Sequence, residues 1–310
     1  MSHKNVKYSV VIPTYRGAQT LRELIERLIR VMNQVGESYE VVFVDDASPD
    51  DSWEILTEQS VLHPQLRASR LMYNVGQFHA LMCGFENARG EYVITMDDDL
   101  QNPPEEIPKL IGAMEANPEL DGVIGAYEKK EHSAARNMGT LLIDYANRLA
   151  SGKDPDLRTT SFRLLRKCLM ETIAAHKTMN PVMGALVVQS SKRLKNVTVT
   201  HHPRRAGRSN YTFLGLMKLA ADAIFNFSVL PLRIMSFVGI LSAILSAALG
   251  SYYVARYLSG NVTPGFTTLA LLILFFNGVT LVCFGLVGEY LIRVIREVSH
   301  SPRYVVRDRL

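Results

Sequence analysis

Two stretches of this chain, Ile234–Ala255 and Phe266–Gly288, run for 22 and 23 residues without a single charged side chain. A helix that crosses a bilayer needs about 20 such residues, whereas a buried helix of a soluble protein rarely stays uncharged that long. The chain is therefore expected to divide into a cytosolic domain (1–210), an amphipathic interface segment (211–232), and two transmembrane helices within 233–292. These span about 234–255 and 266–288, and a cytosolic tail (293–310) follows them. Over 211–230, helical spacing puts Lys218, Asp222 and Asn226 on one stripe, with Phe213, Leu216, Met217, Ile224 and Phe225 around the rest. The same pattern would also suit an ordinary core-packing helix.

Orientation follows from charge. The N-terminus has no apolar signal segment, so the first domain is expected in the cytosol. The tail carries Arg293, Arg296, Arg303, Arg307 and Arg309, against only Arg256 in the loop between the spans. Both termini then lie on the cytosolic side of the inner (cytoplasmic) membrane, in a multi-pass protein. The net charge of +4 is modest and the basic residues are not interleaved with aromatics, which argues against nucleic acid as a partner. Cys83, Cys168 and Cys283 fit no metal or redox spacing.

Within 1–210, short apolar runs alternate with segments of helical period. Strands are expected at Tyr8–Pro13, Glu40–Val44, Leu66–Met72, Tyr92–Met96 and Gly122–Ala126. Helices are expected up to Val35, from Trp53, through Leu81 and Phe85, over Ile107–Ala116, and from about 134 to 150. Arg158–Leu165 reads as a strand carrying polar groups, and Val182–Gln189 and Val197–His201 as further short apolar segments. This alternation predicts an α/β fold with a Rossmann-like, mostly parallel, doubly wound sheet.

In such sheets ligands sit beyond the carboxyl ends of the strands. Three of the first four strands end there in polar groups: Thr14-Tyr15, Asp45-Asp46 and Asp97-Asp98-Asp99. Strand alternation puts Asp97 and Asp99 on one side and Asp98 on the other, so Asp97 and Asp99 offer two hard oxygens to one Mg²⁺ or Mn²⁺. The acids also suit a plain turn with an N-cap near Glu105. No glycine-rich phosphate loop is present. Carboxylates with a cation, Asp46 reading a base or ribose, and Tyr15 stacking on the base together describe a site for a nucleoside diphosphate.

Val10-Val-Ile-Pro-Thr-Tyr, Val44-Asp-Asp-Ala-Ser, Asn74-Val-Gly-Gln, Asp97-Asp-Asp-Leu-Gln-Asn-Pro-Pro, Gly288-Glu-Tyr and Pro302-Arg-Tyr, with the two spans, resemble the family 2 glycosyltransferases of GT-A fold that act on polyisoprenyl phosphates. The likeness runs from about residue 7 to 306. It is strongest to the bacterial undecaprenyl-phosphate transferases of aminoarabinose type, within the dolichyl-phosphate mannose synthase-like superfamily. The resemblance implies inverting, metal-dependent transfer of one sugar from a nucleotide-sugar donor, UDP rather than GDP, to polyisoprenyl phosphate. It implies metal on Asp97 and Asp99, and catalytic roles for Asp97, Asp99, Ser161 and Arg163. Nucleotide binding falls to Pro13, Tyr15, Asp45, Asp46, Asn74, Gly76, Asp97 and Asp98. Acceptor phosphate contacts fall to Arg204, Arg205, Arg208, Ser209 and Tyr211, although these arginines would also serve as juxtamembrane anchors. Membrane lipids are expected partners and a homo-oligomer is left open.

Two positions depart from the family pattern. Arg16-Gly17 stands where Asn-Glu is usual, and Thr160-Ser161-Phe162-Arg163 where Gly-Asp-Phe-Arg is common, so Ser161 replaces the proposed base. Two other readings remain: a membrane-anchored transferase acting on a glycan or other acceptor, and a non-catalytic scaffold.

Overall fold

The structure is a computed structural model that describes residues 6–127, 157–176, 183–202, 265–298 and 302–310, with single positions between 235 and 259. The chain forms two compact units, one of residues 1–218 with 301–310 and one of 219–300.

Among the described residues the first unit is built on eight strands. β1 (Tyr8–Thr14) is buried along its whole length, as a β-branched run with helices on both sides must be. α1 (Leu21–Val35) puts Leu21, Leu24, Ile25, Leu28, Val31 and Met32 into the core and stops at Gly36, whose φ of 76° suits glycine. β2 (Tyr39–Asp45), α2 (Ser52–Leu62), β3 (Leu66–Leu71), α3 (Gln77–Asn87) and β4 (Tyr92–Thr95) follow in the expected alternation. After a 3₁₀ turn at Pro104–Glu106 come α4 (Ile107–Glu115), β5 (Gly122–Tyr127), β6 (Arg163–Arg166), α5 (Lys167–Ala175), α6 (Met183–Ser190) and β7 (Leu194–Val199).

The strand order is β7-β5-β6-β4-β1-β2-β3-β8. β1 pairs in parallel with both β2 and β4, and β2 with β3, so the order reverses between β1 and β4. That reversal opens a crevice at the carboxyl ends of β1 and β4. β6 runs antiparallel between β4 and β5 and carries Arg163 opposite Thr95. The last β1–β4 pair is Val11 with Thr95, so the proline at position 13 lies beyond that ladder, where its missing N–H costs no bond to β4.

Within the tail expected after residue 292, β8 (Val306–Arg309) pairs antiparallel with β3 and closes that edge of the sheet, a strand not expected from the sequence. The approach is pinned by side chains. Arg303 Nη1 donates to the Ala174 carbonyl at 3.0 Å and its Nη2 to that of His176, while the Tyr304 hydroxyl donates to Glu86.

In the second unit α7 (Phe266–Val298) is 33 residues long. Its window Phe275–Ile292, of mean hydropathy 1.6, is long and apolar enough to cross a membrane, and Phe275 and Phe284 are exposed on it. It is the one such helix among the described residues. Of the 22 residues in the expected first span, 234–255, 12 are described and all of these are helical; the rest lie outside the described residues. The interface segment 211–232 lies wholly outside them.

Candidate active site

The crevice is an open cleft of about 370 Å³ lined by Pro13, Thr14, Tyr15, Asp46, Asn74, Gly76, Gln77, Ala80, Asp97, Asp98 and Asp99. Each of the strands β1–β4 leaves the sheet here through backbone of positive φ: Arg16 at 60°, Ala47 at 55°, Gly76 at 90° and Leu100 at 59°. Three of these are not glycine, and each such residue costs of order 1 kcal/mol, so strain gathers at the cleft.

Asp97 is held from both sides. Its Oδ1 accepts from Gln77 Nε2 at 2.6 Å and its Oδ2 from the Ser161 hydroxyl at 2.5 Å. Burial raises its pKa; the Ser161 bond opposes the rise and the Asp99 charge adds to it. Asp99 Oδ1 accepts from the Gln101 N–H at 3.1 Å, which folds the loop back on itself. Burial, reinforced by the charges of Asp97 and Asp99, pushes Asp98 up to about 7. Its Oδ2 is buried with no hydrogen-bond partner among the described residues.

Asp46 reaches across to the next strand end. Its two carboxylate oxygens accept from the N–H groups of Val75 and Gly76, both at 2.8 Å, and so hold the β3–α3 turn as one wall of the cleft. Burial nevertheless raises its pKa. Asp45 sits apart from this wall. It is fully buried, outside the cleft lining, with Oδ1 accepting from the Ser48 N–H at 3.1 Å and Oδ2 3.3 Å from Arg70 Nε. Successive residues of a strand face opposite sides, and the face that Asp45 takes leads to Arg70, which stacks on Trp53.

Tyr15 is exposed at the cleft with the Arg16 guanidinium over its ring. Arg163 is buried beneath the end of β4 with Nε and Nη1 unpaired among the described residues. Burial lowers its pKa to about 10 and the Asp97 charge works against that, so it remains a cation at neutral pH. The expected Pro13, Tyr15, Asp46, Asn74, Gly76, Asp97, Asp98 and Asp99 thus meet in one place, and Ser161 touches Asp97. Arg163 does not line the cleft. Arg204, Arg205, Arg208, Ser209 and Tyr211 lie outside the described residues. Gln77 was missed; a polar side chain directly after the turn glycine at a strand end was the available signal.

The residues fit a divalent cation. The Asp99 charge opposes ionisation of Asp97, which a cation between them would relieve, and hard carboxylate oxygens suit Mg²⁺ or Mn²⁺. No group of three potential ligands among His, Cys, Asp and Glu converges among the described residues. Two carboxylates completed by diphosphate oxygens is the ordinary Mg²⁺ arrangement.

Residues 9–173 match the family described as Glycosyl transferase family 2. The chain is 32% identical to an undecaprenyl-phosphate 4-deoxy-4-formamido-L-arabinose transferase of Proteus mirabilis, covering 97% of this chain and 93% of that one. It is 34% identical to the protein of the same name from Pectobacterium atrosepticum, covering 98% and 93%. Among solved structures, glucosyl-3-phosphoglycerate synthase from Mycobacterium tuberculosis superposes with a TM-score of 0.52 at 15% identity, covering 72% of this chain and 79% of that one. A crystal of that synthase with Mn²⁺ and UDP-glucose gives 0.51 at 16%, covering 71% and 77%. These two share the fold. On the sequence match and the fold together, the chain belongs to glycosyl transferase family 2 and is a glycosyltransferase.

Proposed function

We propose that the protein transfers a single sugar, with inversion, from a UDP-sugar to a polyisoprenyl phosphate of the undecaprenyl type at the cytosolic face of the membrane. The observation that carries the reading is the cleft in which Tyr15, Asp46, Asp97 and Asp99 stand together at the strand ends. Similarity over nearly the whole length of relatives named for undecaprenyl-phosphate transfer supports the acceptor, and α7 supports attachment to the bilayer that holds it. A two-span topology with both termini cytosolic belongs to the same proposal.

The donor's base lies on Tyr15, whose exposed face is a stacking platform. Asp46 keeps the Asn74–Gly76 wall in place beside it. A divalent cation on Asp97 and Asp99 supplies positive charge to the leaving diphosphate when bound. Ser161 and Gln77 orient the Asp97 carboxylate, and Arg163 lends the carboxylates a fixed positive charge from below. The acceptor phosphate, with a second pKa of about 6, is largely dianionic at neutral pH and needs no strong base. Serine at position 161 is therefore compatible with catalysis. A phosphate oxygen forms its bond to the anomeric carbon as the bond from that carbon to the diphosphate oxygen breaks. The electron pair leaves with the nucleoside diphosphate, and this single displacement inverts the centre. Arg204, Arg205, Arg208, Ser209 and Tyr211 are the proposed acceptor-phosphate contacts.

The test is incubation of the full-length protein in detergent with undecaprenyl phosphate, Mn²⁺ and a panel of labelled UDP-sugars. The expected product is a lipid phosphate carrying one sugar of inverted anomeric configuration. Transfer only to a glycan or protein acceptor, or no transfer with any donor, would overturn the reading.

A further inference from the structure

Gly17 stands where the family pattern has a glutamate, and no special backbone angle accounts for it, since its φ is not positive. Space accounts for it. A Cβ built on Gly17 would lie 2.5 Å from Asp98 Oδ2 and 2.9 Å from Thr14 Cγ2. The backbone there cannot give way easily. The Gly17 N–H donates to Ser52 Oγ at 3.0 Å, and its carbonyl accepts from the N–H groups of Thr20 at 3.0 Å and Leu21 at 3.1 Å. The Asp98 carboxylate therefore fills a notch in the β1–α1 loop that only a missing side chain leaves open.

A buried carboxylate oxygen without a partner is costly and calls for a reason. Asp98 joins two loops that contribute different halves of the donor site. Tyr15 lies on one, while Asp97 and Asp99 lie on the other. We propose that Asp98 is a positioning residue, a wedge seated against Gly17 that sets the distance between the base platform and the diphosphate-binding carboxylates. The inference rests on the donor-site reading above. The carboxylate that the family pattern carries at position 17 is here supplied from the facing loop.

The wedge matters for ligands that span both loops and not for those held by one. Asp98→Ala and Gly17→Ala should each weaken UDP binding in the presence of Mn²⁺ by about tenfold, and the combined variant should lose no more than either alone, as expected of two residues acting through one contact. Binding of inorganic pyrophosphate with Mn²⁺, which needs only the Asp97–Asp99 loop, should change less than about twofold in each variant. Asp98→Asn, which keeps the shape, should bind UDP within about threefold of wild type. Calorimetric titration of the full-length protein reads all three. Multiplicative losses in the combined variant, an equal loss for pyrophosphate, or an Asn variant as impaired as Ala would overturn the wedge. Wild-type protein that binds no UDP overturns the donor-site reading instead. The Gly17–Asp98 contact is then judged by thermal midpoints: non-additive losses uphold it, and additive losses sink it.

Discussion

Ser161 donates its hydroxyl proton to Asp97 Oδ2 across 2.5 Å, and its carbonyl accepts from the Thr95 hydroxyl at 2.6 Å. The residue that replaces the family's expected base is thus a brace between the end of β4 and the first carboxylate of the Asp-x-Asp pair. A brace and a base behave differently when removed. Ser161→Ala should slow transfer by roughly tenfold, about 1.5 kcal/mol, the lower end of the worth of one hydrogen bond to a charged group. Asp99→Asn should slow it by about 100-fold or more. Single-turnover rates decide the matter: a Ser161→Ala loss as deep as that of Asp99→Asn would make Ser161 a participant in the chemistry.

Asp46 spends both carboxylate oxygens on the Val75 and Gly76 amides. Asp46→Ala should raise the dissociation constant for UDP with Mn²⁺ by about tenfold or more, because two charge-assisted bonds are lost together. Asp46→Asn, which keeps one acceptor, should fall between that variant and wild type. Titration at fixed Mn²⁺ checks both, and an unchanged constant for the Ala variant would show that the wall stands without Asp46.

At Gly76, with φ 90° and ψ 157°, an added Cβ would meet nothing within 4 Å. Any harm from Gly76→Ala is therefore backbone strain alone, about 1–3 kcal/mol. A lowered thermal midpoint together with weaker UDP binding is expected, since the same turn lines the cleft. A thermal midpoint equal to that of wild type would contradict the left-handed turn.

Burial pushes the Cys83 thiol up to about 11, whereas Cys168 is exposed. At pH 8 iodoacetamide should label Cys168 and leave Cys83 unmodified in the folded protein, as peptide mapping would show. The folded state favours the protonated Cys83 thiol, so its contribution to stability is intact below the ordinary thiol pKa of about 8.5 and is lost as pH rises towards about 11. Rapid labelling of Cys83 at pH 8 would mean that α3 opens locally.

The parallel strands were readable because each is an apolar run cut off by a turn or an acid, and that pattern is local. Other features depend on partners distant in sequence. β6 begins only at Arg163; upstream of it the Arg158 N–H donates to Asn196 Oδ1 and the Thr160 hydroxyl to the Gly125 carbonyl. Adjacent acids at a strand end cannot reveal which one lines the cleft, so Asp45 and Asp46 read alike until β2 has its register. The apolar stretch at 183–190 is too short for periodicity to separate helix from strand, and it is a helix. Val306-Arg-Asp-Arg309 has no apolar alternation at all; the unpaired edge of β3 makes it a strand.

That last strand changes what it means to cut the protein in two. The polypeptide passes from β7, at one border of the sheet, through residues 200–305, and re-enters at β8, the opposite border. The apolar region is thus an insertion within the catalytic fold and not an appendage to it. Shortening the chain at any single point before α7 removes the closing strand and leaves the hydrogen-bonding groups of β3 bare, an invitation to edge-to-edge association. A soluble catalytic fragment that keeps its native border needs two junctions, with 302–310 grafted behind β7 through a linker long enough to travel the width of the sheet.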